Sequence, residues 1–136
     1  MANFKETFAG ILDTDARLTD SGTLGNLLGY NATTKPECVF FQFPPARVTP
    51  PIITYSINAE AGNLPRDIFF DVTVWGGDLR AIHNRIHALL HEKREITSDD
   101  FSVKGLLFDN AGAEMWDTDL KCYYQRARYR GVAVKL

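Results

Sequence analysis

RDIFFDVTVWGGDLRAIHNRIHALLHE, residues 66–92, reads as one buried strand, a tight glycine turn and one amphipathic helix. From Ile68 to Trp75, Phe70, Val72 and Val74 share one face while Phe69, Asp71, Thr73 and Trp75 share the other, the period-2 alternation of a strand. Gly76 and Gly77 break that strand, and Asp78 is placed to cap the helix. Leu79, Ile82, Ile86, Leu89 and Leu90 fall within an arc of roughly 100°, at ~100° per residue, as in a helix laid on a sheet. The strongest signal of the stretch is thus architectural, and nothing in it resembles a catalytic constellation.

Upstream, Asn3 and Glu6 form a capping-box variant, and Phe4, Phe8, Ile11 and Leu12 follow the spacing of a core-facing helical stripe. A polar stretch from Asp13 to Asp20 is expected to interrupt that helix. A second short helix is expected around Leu24, Leu27 and Leu28, ended by Gly29. Val39 to Phe43 suits a strand and runs into FPPARVTPP. There Pro44, Pro45, Pro50 and Pro51 remove backbone donors and predict a stiff, extended arm. Ile52 to Ile57 resumes strand character, with Ile53, Tyr55 and Ile57 on one face, and residues 59–65 read as a turn. Downstream, the pattern predicts strands over 101–108, 113–117 and 122–134, with residues 109–112 turning between the first two.

Composition sets the outer bounds. A chain of 136 residues, 45% hydrophobic and 24% charged, suits one globular domain spanning 1–136. A net charge of −2 supplies no global field for nucleic acid or an anionic membrane. Cys38 and Cys122 lie far apart with no CxxC spacing, so no disulfide framework is expected. The N-terminal residues read as neither a signal peptide nor a membrane span, so the protein is expected to stay in the cell that makes it.

Several residues invite a chemical reading. His83, His87 and His91 form one stripe on the shoulder of the helix, and the pair His83 and His87 is the weak candidate for a shared metal ion. His83 and His91 are about 12 Å apart at ~1.5 Å per residue, so one tetrahedral ion cannot take all three. A half-exposed row at the core's edge or at a subunit contact fits better, and no metal or cofactor is expected. Asp13, Asp15 and Asp20 fail an EF-hand at Arg17, Leu18 and Leu24; helix capping suits them better. Arg126, Arg128 and Arg130 would project from one face of a strand, with Tyr123 and Tyr129 on the other. Such a comb can meet phosphates, but an acidic chain with a short patch favours pairing with nearby carboxylates. Gly76-Gly77 before a helix could cradle a phosphate, against which Asp78 would compete. Hydrolase elbows, P-loops and dinucleotide fingerprints do not occur.

Three segments together resemble the small tail-completion, or tail-terminator, proteins of long-tailed bacteriophages and prophages. They are CVFFQFPPARVTPPIITYSI (38–57), the strand–turn–helix from Ile68 to Glu92, and DTDLKCYYQRARYRGVAVKL (117–136). The chain departs from that pattern at Leu120-Lys121 and in the density of its prolines. The resemblance implies an α+β domain, a mostly antiparallel sheet with an N-terminal helix and one main amphipathic helix on one face, and a non-enzymatic structural role. It implies a homo-oligomeric ring, commonly of six, that caps the tail tube and prepares it for head joining. The tube protein and a head-completion or neck protein would be its partners, with no membrane. Its place would be the tail end of the virion, and the host cytoplasm during assembly. On this reading the contacts are expected from Pro44, Pro45, Arg47, Pro50 and Pro51, from Asn63 in the 59–65 turn, and from Asn110 in a 109–116 hairpin, together with Arg126, Arg128 and Arg130. The alternatives are a small nucleic-acid-binding module using the arginine strand, or another neck or tail component.

Overall fold

The computed structural model describes residues 4–59, 66–91, 95–97 and 101–135. In chain order its elements are α1 (Phe4–Ala16), α2 (Leu24–Leu28), β1 (Val39–Phe41), β2 (Ile52–Ala59), β3 (Arg66–Trp75), α3 (Leu79–His91), β4 (Glu95–Thr97), β5 (Phe101–Ala111), β6 (Met115–Asp117) and β7 (Cys122–Lys135). The strands form one sheet of order β1-β2-β3-β7-β5-β4, with β6 paired to β7 alone. All pairings are antiparallel except β1–β2. The fold is α+β, as the sequence implies.

The helices cover one face. α1 lies over β1 and β2, and α3 over β3, β7 and β5. From the sheet Phe70, Val72, Val74, Ile53, Tyr55, Ala127 and Tyr129 join Phe8, Leu12, Leu79, Ile82, Ile86 and Leu90 from the helices in one core. Phe8 stacks on Phe70 with ring centroids 4.6 Å apart, which pins α1 to the central strand. Among the described residues no helix is long and apolar enough to cross a membrane.

The strand–turn–helix unit is built as its pattern predicts. Asp78 Oδ1 accepts from the Ala81 N–H at 3.1 Å and caps α3. Gly76 and Gly77 take positive φ of 82° and 71°, and the two prolines of the preceding loop fill the space a side chain would need. A Cβ on Gly76 would stand 2.8 Å from Pro50 Cβ, and one on Gly77 would stand 2.9 Å from Pro51 Cβ. The phosphate cradle considered for this turn is thus occupied by the chain's own prolines. Gly29 ends α2 in the left-handed region, as expected. The Asn3 cap lies outside the described residues.

The polar stretch from Asp13 to Asp20 interrupts the helices as expected, α1 ending within it at Ala16 with Asp15 buried in an ion pair. Two expectations are corrected. The proline segment is not an extended arm. β1 and β2 are parallel, so residues 42–51 must double back between them, with Gln42 and Arg47 at φ of 65° and 62°. Residues 109–112 do not turn between two strands, since β5 runs on to Ala111. Asn110 pairs with Arg128 and Ala111 with Ala127, and a bulge after Phe108 absorbs the polar residues. No 109–116 hairpin therefore exists; β5 and β6 lie in succession along the same edge of β7. The turn that closes the hairpin is residues 118–121, where Lys121 has φ 54° and the Leu120 N–H donates to Asp117 Oδ2 at 2.7 Å.

Candidate functional site

Because the helices cover one face only, the other face of the sheet carries the arginine comb. β7 places Arg126, Arg128 and Arg130 opposite Thr73, Asp71 and Phe69 of β3. Arg128 grips Asp71 with two bonds, Nε–Oδ1 at 2.8 Å and Nη2–Oδ2 at 3.1 Å, and Arg130 Nη2 donates to Asp67 Oδ2 at 2.8 Å. Both guanidinium groups lie over the Phe69 ring, at 5.1 and 5.9 Å from its centroid. The hydrogen bond to the buried Asp71 raises the Arg128 pKa further above its usual value. Two of the three arginines are thus held by carboxylates on the neighbouring strand, which weakens the phosphate-comb reading. Arg126 is exposed, and among the described residues it has no ion-pair partner.

At the Trp75 end of the sheet, β6 and β7 build an aromatic tip. Trp116 faces Tyr123 across the strands with centroids 4.9 Å apart, edge to face. Tyr124 stacks on Trp75 at 4.6 Å, and its hydroxyl reaches Met115 Sδ at 3.7 Å. Met115, Trp116 and Tyr123 remain 55%, 52% and 55% exposed. Glu114 lines a cleft with Arg80, His83 and His87. Pro44, Pro45 and Arg47 of the crossover loop share a depression with Trp75, Asp117 and Asp119. Sequence reasoning singled out Tyr123, Pro44, Pro45 and Arg47 in this region but neither Met115 nor Trp116. The signal was present in the run Met115-Trp116-Asp117 and in Tyr123-Tyr124, but only the hairpin register brings the two together.

The histidine stripe divides. His83 faces inward, its Nε2 lying 3.0 Å from the Gln125 carbonyl. A carbonyl only accepts, so Nε2 carries the proton and Nδ1, which is buried without a hydrogen-bond partner, is left with a bare lone pair. Burial lowers the His83 pKa, and the Gln125 carbonyl restores part of it. His87 and His91 are exposed and stack at 4.6 Å, with His87 edge-on to Phe108 at 5.8 Å. His83 and His87 line a cleft of about 490 Å³ together with Ala127 and Tyr129. Burial pushes the Tyr129 phenol up to about 12. Among the described residues no group of three or more His, Cys, Asp or Glu side chains is arranged to hold a metal ion.

The remaining sequence candidates scatter. Pro50 and Pro51 pack on the glycine turn, and Asn110 is exposed on β5 with its amide on Asp109 at 3.0 Å. Asn63 lies outside the described residues. Asp15, expected only as a cap, does more: it accepts from the Leu24 N–H at 2.8 Å at the start of α2 and binds Arg85 of α3 twice, at 2.9 and 2.7 Å. No protein-family model matches this chain, and no curated protein is similar to it.

Proposed function

We propose that this chain is a structural, non-enzymatic subunit that closes the end of a long-tailed phage tail tube as an oligomeric ring and readies it for head joining. The observation that carries the reading is where the large apolar side chains are left in solvent. Leu107 and Val132 lie on or beside the arginine face, Trp116 and Tyr123 pair at the end of β6–β7 with Met115 on the reverse face, and Phe41 and Phe43 stand at the start of the proline crossover. Grouped apolar exposure marks association surfaces, whereas single exposed residues do not. A ring subunit needs two different surfaces, one for each neighbour. The resemblance of segments 38–57, 68–92 and 117–136 to tail-terminator proteins supplies the identity of the ring. Those segments build the proline crossover, the core strand with its helix, and the long strand β7.

A phage or prophage lacking the gene tests this. The expected result is filled heads beside tails of abnormal length or tails that fail to join, with joining restored by added protein. Normal infectious particles from the deletion would sink the proposal.

A further inference from the structure

We propose that His83 is a proton-operated latch on the cleft between α3 and β7. The neutral imidazole closes the cleft by holding the Gln125 carbonyl, and a second proton drives it out of its seat and lets water in. The latch is independent of the tail-tube reading and concerns how one copy of the chain responds to acid.

The seat is built for a neutral imidazole. Nε2 lies 3.0 Å from the Gln125 carbonyl of β7, which takes its one proton. Nδ1 is buried without a partner, the one side-chain nitrogen or oxygen in that position among the described residues. The Gln125 side chain is engaged elsewhere, its Nε2 donating to the Gly112 carbonyl at 2.9 Å. An imidazolium in the same seat would present a second N–H with nothing to accept it, and a buried charge with no counterion.

The groups around His83 oppose that charge. On its own helix Arg80 lines the cleft as a cation, and His87 lines it one turn further on. From β7 comes Tyr129, whose phenol burial pushes up to about 12, so it stays neutral. β5 contributes Phe108 and Ala111, and β3 turns the apolar Val72 and Val74 toward the helices. α1 and α2 pack on another side of α3, where Arg85, ~200° around the helix from His83 at ~100° per residue, holds Asp15. The one carboxylate among the lining residues is Glu114, which is exposed in the link between β5 and β6.

An imidazolium therefore gains by leaving the seat for the rim, where water and Glu114 are. α3 itself stays in place, because Leu79, Ile82, Ile86 and Leu90 remain buried in the core. The opening is local, and it exposes Ala127 and Tyr129 to water. Burial already lowers the His83 pKa, so the unseated form binds the proton more readily than the seated one. Below the ordinary histidine value of ~6.5, the ratio of unseated to seated imidazole should grow by up to about tenfold per pH unit, until the seated form titrates too.

Nuclear magnetic resonance of the full chain between about pH 7.5 and about pH 5 tests the latch, since that window brackets the ordinary histidine value. The expected result at neutral pH is His83 as the Nε2–H tautomer. As pH falls, the His83 signals should change together with those of Gln125, Ala127 and Tyr129, while Phe8 and Leu12 of α1 stay as they are. His83→Gln still offers a side-chain N–H to the Gln125 carbonyl and takes up no proton, so it should keep Ala127 and Tyr129 unchanged throughout. His87→Gln should open as the wild type does. The latch is overturned if His83 titrates at the ordinary value while its neighbours' signals stay unmoved, if acid disturbs α1 and the cleft alike, or if His83→Gln opens as the wild type does. The wild-type imidazole signals need no variant, so they decide the matter even where His83→Gln does not fold.

Discussion

Replacing Asp15 tests whether one buried carboxylate ties all three helices together. Asp15 sits on α1, caps the start of α2 through the Leu24 N–H, and holds Arg85 on α3. Its side chain is 6% exposed while that of Arg85 is 34% exposed. Breaking a fully buried pair costs ~3–5 kcal/mol, and an exposed pair is worth ~0–1 kcal/mol. Arg85 can rehydrate in part, so Asp15→Asn should cost ~2 kcal/mol, since the amide oxygen can still accept from Leu24. Asp15→Ala also strands the Leu24 N–H and should cost ~3–4 kcal/mol. In a chain of this size, ~2 kcal/mol corresponds to a fall of roughly 8 °C in Tm. Urea titrations of Asp15→Asn, Arg85→Met and the double variant measure the coupling, expected at ~1–2 kcal/mol. A cost below ~0.5 kcal/mol with no coupling would refute the tie.

The same carboxylate gives a pH signature. Burial works to raise the Asp15 pKa, but the Arg85 hydrogen bonds, the Leu24 N–H and the Arg85 charge together hold it below the usual value. A depressed folded-state pKa means its contribution is present above the unfolded value, near ~3.9, and is lost as pH falls through the folded one. Asp15→Asn should flatten that acid limb.

Two further predictions concern the core and the histidines. Ile86 is fully buried in the core that joins α3 to the sheet, so Ile86→Ala should cost ~2–5 kcal/mol in a denaturant titration; less than ~1 kcal/mol would mean that α3 is not packed as described. His83 has a lowered pKa when folded, so wild-type stability should decline as pH drops below the unfolded histidine value near ~6.5, and His83→Gln should remove that decline. A double replacement of His83 and His87 by glutamine should leave stability indifferent to zinc or chelator, and a stoichiometric ion lost with folding would overturn that.

Much of the fold was legible where the pattern is local. The alternation of Phe70, Val72 and Val74, the helical arc from Leu79 to Leu90 and the Gly29 cap depend on neighbours a few positions away, and the structure reproduces them. What escaped depends on partners far along the chain. Asp15 reads only as a capping residue until Arg85, seventy positions later, is seen to pair with it. Asp109 and Asn110 read as a turn until β7 pairs with Asn110 and its neighbour and a bulge takes up the extra residue. The three residues of β4 are too few to show a period. Of the candidate surfaces, the arginine comb was visible from alternation alone. The partners Asp67 and Asp71 lie on a strand some sixty positions away, and the aromatic tip needed the β6–β7 register.

The most direct measurement of the central claim is electron microscopy of tail tubes assembled without this protein and then incubated with it. The ring reading predicts one closed ring of density at a single end of each tube, after which the tubes accept heads. Bare tube ends after incubation, or protein spread along the tube wall, would contradict it.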